Sequence, residues 1–247
     1  MVSRSVGVAL MGGLLSMGGL LSMGGCATTQ PKQAEEPKVV SAHKAVNPLD
    51  LSGGLDDGMQ VEGLMGTLDP GQARDALDTT LPEATRCYSR ESRRHPYLGG
   101  EMQMKFRVNR DGSVKKITLT SSSVGSLQME RCVLTALAAT RFRRPMGGGE
   151  AELNYPLTFP ARMGSQSWEA EQVVETLNKV RKDLAKETFP AGLVLTLYIS
   201  PRGDLSDAGM YAADNVAADL ADRLLLALKA AKFKAPQSHY AKVTVQW

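Results

Sequence analysis

Three histidines, His43, His95 and His239, are the first residues to test for chemistry, and they lie far apart in the chain. No His or Cys pair has zinc-ligand spacing. His43 falls in a polar linker, His95 in a helix-to-strand loop and His239 in a loop before a strand. No serine sits in a nucleophile elbow. The triple glycine at 147–149 lacks the lysine of a phosphate loop and reads as a flexible connection. Acid pairs such as Asp56-Asp57 and Asp204/Asp207 read as solvated turns. The expectation is a chain with no catalytic, metal or cofactor residues, and so not an enzyme. The arginines stand out instead. Arg86, Arg90 and Arg93/Arg94 share one face of a predicted helix, and Arg141, Arg143 and Arg144 cluster after the next helix. Residues 71–160 carry 14 basic and 9 acidic side chains, net +5, whereas 168–247 carry 10 of each. Such a patch suits an anionic partner: an acidic protein segment, a glycan or lipid headgroups. It also fits a solvated face partly paired with Glu83 and Glu91.

Cys26 stands apart from the other two cysteines. Residues 1–25 hold one charge, Arg4, followed by an apolar run over 6–23 in which Gly-Gly-Leu-Leu-Ser-Met occurs twice. A basic start, an apolar middle and small residues before a cleavage point describe a secretory signal peptide. The ending Met23-Gly-Gly-Cys26 resembles a bacterial lipobox, with methionine where leucine is usual. That resemblance implies a cysteine that becomes the first mature residue and carries acyl chains, which contribute about 0.8 kcal/mol per buried methylene. A plain signal peptide with an incidental cysteine, or an uncleaved anchor, are the alternatives. Each glycine costs a spanning helix about 1 kcal/mol, which weighs against the anchor. Ala27, where an aspartate would retain the protein at the inner membrane, leans towards the outer one. The expected location is the periplasmic face of a bacterial membrane, held by lipid. That makes nucleic acid an improbable partner.

The 247 residues are 43% hydrophobic, 22% charged and 5% aromatic, which excludes a collagen-like, coiled-coil or wholly disordered chain. The apolar run at the N-terminus has no second of comparable length, so a multi-spanning membrane protein is excluded. Residues 26–67 read as a disordered acidic linker, with Pro31, Pro37, Asn47-Pro48 and Ser52-Gly-Gly54 breaking any periodicity. About 40 such residues reach roughly 35 Å.

Beyond the linker the chain repeats. Residues 101–145 and 192–236 align at a constant offset of 91, with Phe106-Arg-Val-Asn-Arg-Asp-Gly112 on Leu197-Tyr-Ile-Ser-Pro-Arg-Gly203, Leu137 on Leu228, Phe142 on Phe233 and Pro145 on Pro236. The expected fold class is α+β, with two tandem αββαβ units over 68–162 and 166–247. Each is a small antiparallel sheet covered by two helices. In the first, Leu77, Leu81, Ala84 and Tyr88 mark a helix that Pro82 starts or kinks. Met102 to Val108 alternate as a strand, Asn109-Arg-Asp-Gly112 turns the chain, and Val114 begins the return strand. Met129, Val133 and Leu137 mark the second helix, and Leu153, Tyr155, Leu157 and Phe159 the third strand. In the second, Val173, Leu177, Val180 and Leu184 mark the first helix, and Leu193 to Ile199 the first strand. Pro201-Arg-Gly203 turns the chain, Leu220, Leu224 and Leu228 mark the second helix, and Val243, Val245 and Trp247 close the sheet.

Cys87 and Cys132 both fall beside the apolar face of a first-unit helix. In an exported chain two remaining cysteines are read as a disulfide joining those helices. Two buried free thiols in an unexported chain is the other reading. The offset positions in the second unit are Asn178 and Arg223.

Several motifs of the first unit recur together. Arg86-Cys-Tyr-Ser-Arg-Glu91, His95-Pro-Tyr-Leu-Gly-Gly100, Asn109-Arg-Asp-Gly112, Glu130-Arg-Cys-Val133, Phe142-Arg-Arg-Pro145 and the triple glycine occur in that order. Over residues 70–160 this resembles the AgmX/PglI-type C-terminal domain of gliding-motility and related envelope proteins, a branch of the TonB C-terminal-domain superfamily. Residues 168–247 resemble the superfamily in pattern only. The resemblance implies a periplasmic domain that binds proteins and takes a partner segment as an added strand at a sheet edge. The implied edges are 152–158 and 242–247, with Glu152, Asn154, Tyr155, Val243 and Val245 beside Arg86, Arg90 and Arg94 as partner-binding residues. The other arrangement is two units that pair their sheets and leave no edge. A lipobox and a short acidic linker depart from an energy transducer, which has a spanning helix and a long proline-rich spacer. Two functions fit: an adaptor or accessory subunit of an envelope machine for motility, secretion or transport, or a structural lipoprotein tethering the outer membrane to peptidoglycan. The partners expected are envelope proteins, the membrane through the lipid, and peptidoglycan in the second case.

Overall fold

Alternation of apolar and polar side chains sets the strands, and helical spacing of apolar residues sets what covers them. The computed structural model describes residues 60–63 and 66–247. The signal segment and Cys26 lie outside the described residues. In chain order the first half runs β1 (Gln60–Gly63), α1 (Pro70–Asp78), α2 (Leu81–Arg94), β2 (Gly100–Val108), β3 (Val114–Ser122), α3 (Leu127–Ala138) and β4 (Ala151–Phe159). Its sheet is antiparallel throughout, in the order β1-β4-β2-β3. Met102, Met104, Phe106 and Val108 of β2 point to one face and are fully buried with Leu153, Tyr155 and Leu157 of β4. Leu77, Ala84, Tyr88, Met129, Val133 and Leu137 of the helices close that core from above.

The second half runs β5 (Gln166–Trp168), a short 3₁₀ turn (Ala170–Gln172), α4 (Val174–Asp183), β6 (Val194–Ile199), β7 (Leu205–Tyr211), α5 (Ala218–Ala230) and β8 (Ala241–Gln246). Its sheet has the order β5-β8-β6-β7, antiparallel except for the parallel pair β5·β8. Leu195, Leu197 and Ile199 of β6 face Val180, Leu224 and Leu228 of the helices. The described chain is therefore α+β, with two sheets and five α-helices.

The two halves share details that the offset of 91 anticipates. Gly112 and Gly203 both take positive φ, +85° and +79°. Gly112 donates to Asn109 O and accepts from Phe142 N, each at 2.9 Å; Gly203 donates to Ser200 O and accepts from Phe233 N, also at 2.9 Å. The isolated bridges Ser113–Arg141 and Asp204–Lys232 stand at the same offset.

Three expectations need correction. The segment to residue 67 is not wholly a linker: Gln60–Gly63 pairs with β4 from Asn154 to Ala151, and Thr67 bridges Met146. Four residues with one strong β-former carry little signal alone; the edge of β4 supplies the partner. The last strand of each half is not outermost, because β1 lies outside β4 over 151–154 and β5 outside β8 over 241–243. The first helical stretch is two helices, interrupted at Thr79 and Thr80. The Thr80 amide and hydroxyl both bond Leu77 O, which ends α1 before Pro82 enters the first turn of α2.

The halves meet through a sheet face and through β7, the end strand of its sheet, which lies against β3 and α3. The sheet face of the second half turned away from its helices presents Thr196, Tyr198, Gly209 and Lys242. Against it lie the β2 approach at 97–99 and the β3–α3 connection at 122–126.

Candidate functional site

The face of α2 opposite its core collects the arginines. Ala84, Cys87, Tyr88, Glu91 and Ser92 point inward, which leaves Arg86, Arg90, Arg93 and Arg94 exposed. The helix suits its charges: Glu83 stands in the first turn and Arg93 and Arg94 in the last, each sign favoured by the helix dipole there. The four arginines and Ser89 line a shallow depression of about 320 Å³. Arg86 is paired with Glu83 one turn back. Arg90 reaches Glu91 at 3.1 Å, a carboxylate only 2% exposed, and its Nη2 lies 3.2 Å from Cys132 Sγ. Arg93 and Arg94 form no ion pair among the described residues.

The platform under this face is braced. Cys87 and Cys132 form a disulfide with Cα atoms 5.8 Å apart, joining α2 to α3. Tyr88 donates to Pro160 O and packs against Phe159 with ring centroids 5.3 Å apart. The helix cannot roll without breaking these contacts, so the guanidinium spacing is held from below.

The strand residues named from the sequence fall differently. Tyr155 is 1% exposed and packs edge-on to Phe106, and its hydroxyl has no hydrogen-bond partner among the described residues. Val243 and Val245 lie in the second core. The side chains of these three are therefore inside; the main chain of Tyr155 and Val245 falls beyond the β1 and β5 pairings, while that of Val243 is paired with Trp168 of β5. Glu152 pairs with Lys105 at 3.2 Å and stands opposite Glu62, while Asn154 stands opposite Gln60. Outside the β1 and β5 pairings, and among the described residues, β4 keeps an unpaired outer length over 155–159 and β8 over 244–246. Pro156 falls in the first of these and brings no N–H to it.

No constellation for catalysis emerges among the described residues. No three His, Cys, Asp or Glu side chains come close enough to hold a metal. One cleft, of about 830 Å³, lies between residues 163–168 and 234–239 and brings Ser238 Oγ within 2.7 Å of His239 Nδ1. No carboxylate lines it to orient that imidazole. No described helix is long and apolar enough to cross a membrane.

The seam between the halves holds charged groups the sequence reading did not single out. Glu130 is 1% exposed and accepts from Ser122 Oγ at 2.6 Å and from Met210 N at 3.3 Å. Tyr97 is bonded to His95 Nδ1 and Ser206 Oγ, and Lys242 donates to Gly99 O at 2.8 Å. Burial raises the Tyr97 and Tyr198 hydroxyl pKa values and lowers that of Lys242. One signal for Glu130 was available: it sits three and seven residues before Val133 and Leu137, on the buried face of α3.

No protein-family model matches this chain, and neither the curated proteins nor the solved structures contain a significant match to it.

Proposed function

We propose that this chain is a non-enzymatic envelope lipoprotein that works as a binding adaptor in a cell-envelope machine. Its folded part is read as two tandem TonB C-terminal-like αββαβ units. The matched glycine turns and the common order of helices and strands support that reading. The first unit does the binding, and its ligand is an acidic segment of an envelope protein held on the α2 arginine face. One observation carries this: four exposed guanidiniums on a disulfide-braced helix, two of them without a counter-ion among the described residues. Arginine forks match carboxylates in pairs, and a fixed spacing lowers the ordering cost of binding. Strand addition has less room, because β1 and β5 already occupy part of the edges it would use.

The test is capture from a detergent-solubilised envelope by the full chain and by an Arg90→Ala/Arg93→Ala/Arg94→Ala variant. A protein retained by the parent, lost by the variant and weakened by salt supports the reading. Retention unchanged in the folded variant overturns it. Sedimentation with purified peptidoglycan that the same variant abolishes makes the cell wall the partner, and the chain a tether.

A further inference from the structure

Glu130 is placed where a carboxylate costs most. It belongs to α3 of the first half, and β7 of the second half is laid directly over it. Gly209 of β7 has no room for a side chain there: a Cβ would fall 2.8 Å from Gly125 Cα and closer still to Glu130 Oε1. The carboxylate accepts hydrogen bonds from Ser122, from Met210 N across the seam and from the Gly125 amide. No cation is among the principal groups acting on it, and the one charged side chain that is among them is another acid, Asp207 of β7. Asp207 accepts from Ser126 of the α3 cap and from its own neighbour Ala208 N.

The other charged groups around the seam are committed elsewhere. Arg131, next to Glu130, donates to Asp222 Oδ1 at 2.6 Å and Ala218 O at 2.8 Å on α5. Lys242 of β8 donates to Gly99 O and lies over the Tyr198 ring. His95, held by Tyr97, and Lys229 of α5 act on Asp207, favouring its ionised form. Tyr97 stacks on Tyr240 with centroids 4.2 Å apart. Glu130 faces the seam held by hydrogen bonds, with no ion pair among the described residues.

We propose that the seam is a proton-operated joint: with the Glu130 carboxyl protonated beside Asp207 the two halves close on each other, and its ionisation loosens them. Burial pushes the Glu130 carboxyl up to about 7, against the pull of its hydrogen bonds, and Asp207 adds to the rise. Burial likewise raises Asp207. An acid whose pKa is raised on closure is bound more tightly as a proton acceptor in the closed state. Closure is therefore fully stabilised below the ordinary value of 4.5 and weakens as pH rises through about 7. Between pH 5 and pH 8 those two values give a change of roughly 70-fold in the opening constant. This holds whatever the arginine face binds.

The test is hydrogen exchange on the full chain at pH 5 and pH 8, corrected for the intrinsic pH dependence of exchange. Protection of the 205–212 and 95–100 segments should fall by tens-fold at the higher pH, while the β2 interior falls far less. Glu130→Gln, which keeps the shape without the charge, should cut the difference several-fold, to the part Asp207 carries. The same pH dependence in a folded Glu130→Gln variant overturns the proposal. Carbon-13 NMR titration of the parent's carboxyls decides independently of any variant: a Glu130 midpoint near 7 supports the joint, and one near the ordinary glutamate value overturns it.

Discussion

The sharpest test of the fold lies in its glycines. At Gly112 the backbone has φ +85°, and a Cβ would fall inside the carbonyl oxygen of Phe142. At Gly203 it has φ +79°, and a Cβ would fall inside the carbonyl of Phe233. Gly148 and Gly192 also have positive φ, +74° and +68°, but nothing lies within 4 Å of where a Cβ would go. Alanine at the two open positions meets the left-handed backbone penalty alone, about 1 kcal/mol, partly offset by a stiffer unfolded chain. Alanine at the two closed positions meets the same penalty and must also displace backbone. That breaks the 2.9 Å bond from Phe142 N to Gly112 O, or from Phe233 N to Gly203 O, worth about 1 kcal/mol, and lifts a buried phenylalanine. The expected extra loss is about 3 kcal/mol in each half. With a urea slope of about 2 kcal/mol/M, the midpoint falls by about 1.5 M relative to the matched control. Urea unfolding followed by far-ultraviolet circular dichroism reads it. Equal losses for Gly112→Ala and Gly148→Ala, or for Gly203→Ala and Gly192→Ala, would show that the turn does not pack under the following segment, and the structural equivalence of the halves would go with it.

Further outcomes follow from single contacts. Replacing Cys87 and Cys132 together by alanine releases a link across 45 residues and should cost up to about 4 kcal/mol, read as a lower urea midpoint that matches reduction of the parent. Asp69 caps α1 by accepting from Gln72 N at 2.9 Å, so Asp69→Ala should lose about 1 kcal/mol, whereas Asp69→Asn should lose little. The Arg90→Ala/Arg93→Ala/Arg94→Ala variant should lose its salt-sensitive partner; Arg93→Ala/Arg94→Ala alone should keep its unfolding midpoint within about 0.5 kcal/mol equivalent, because both side chains are exposed and outside any ion pair among the described residues, whereas adding Arg90→Ala lowers it further by removing the ion pair of the buried Glu91.

Much of the layout was legible because both halves obey simple periodicities. Alternation in Met102 to Val108 and in Leu193 to Ile199 marks strands buried on one face, and the Gly112 and Gly203 turns follow from residue type. The arginine face was legible for the same reason, since a helical repeat of charge needs no tertiary information. The added strands β1 and β5 were not legible. Each is three or four residues long and is stabilised by a neighbour distant in sequence, so no local pattern carries it. The partner-binding role expected of Tyr155, Val243 and Val245 would run through their main chain, since alternation places their side chains inward and β5 already pairs with Val243.

The seam was hidden for a different reason. An antiparallel sheet with helices on one face leaves the other to water, and polar residues there carry no message. Thr196 and Tyr198 read as such a face, yet both are fully buried, because the first half's loops cover it. The cover is mixed: tyrosine hydroxyls, serines, main-chain carbonyls and Glu130 meet across it, and apolar groups cross it as well, with Leu127 of α3 in the second core, Tyr211 of β7 against the first, and Tyr97 and Leu98 packed on Tyr198. The polar part of this contact, with a buried carboxylate at its centre, is what makes the proposed joint responsive to the charge state of one carboxyl. The second half thus does more than repeat the first: its open face supplies the surface that buries Glu130, and without Gly209 in β7 that approach would be sterically blocked.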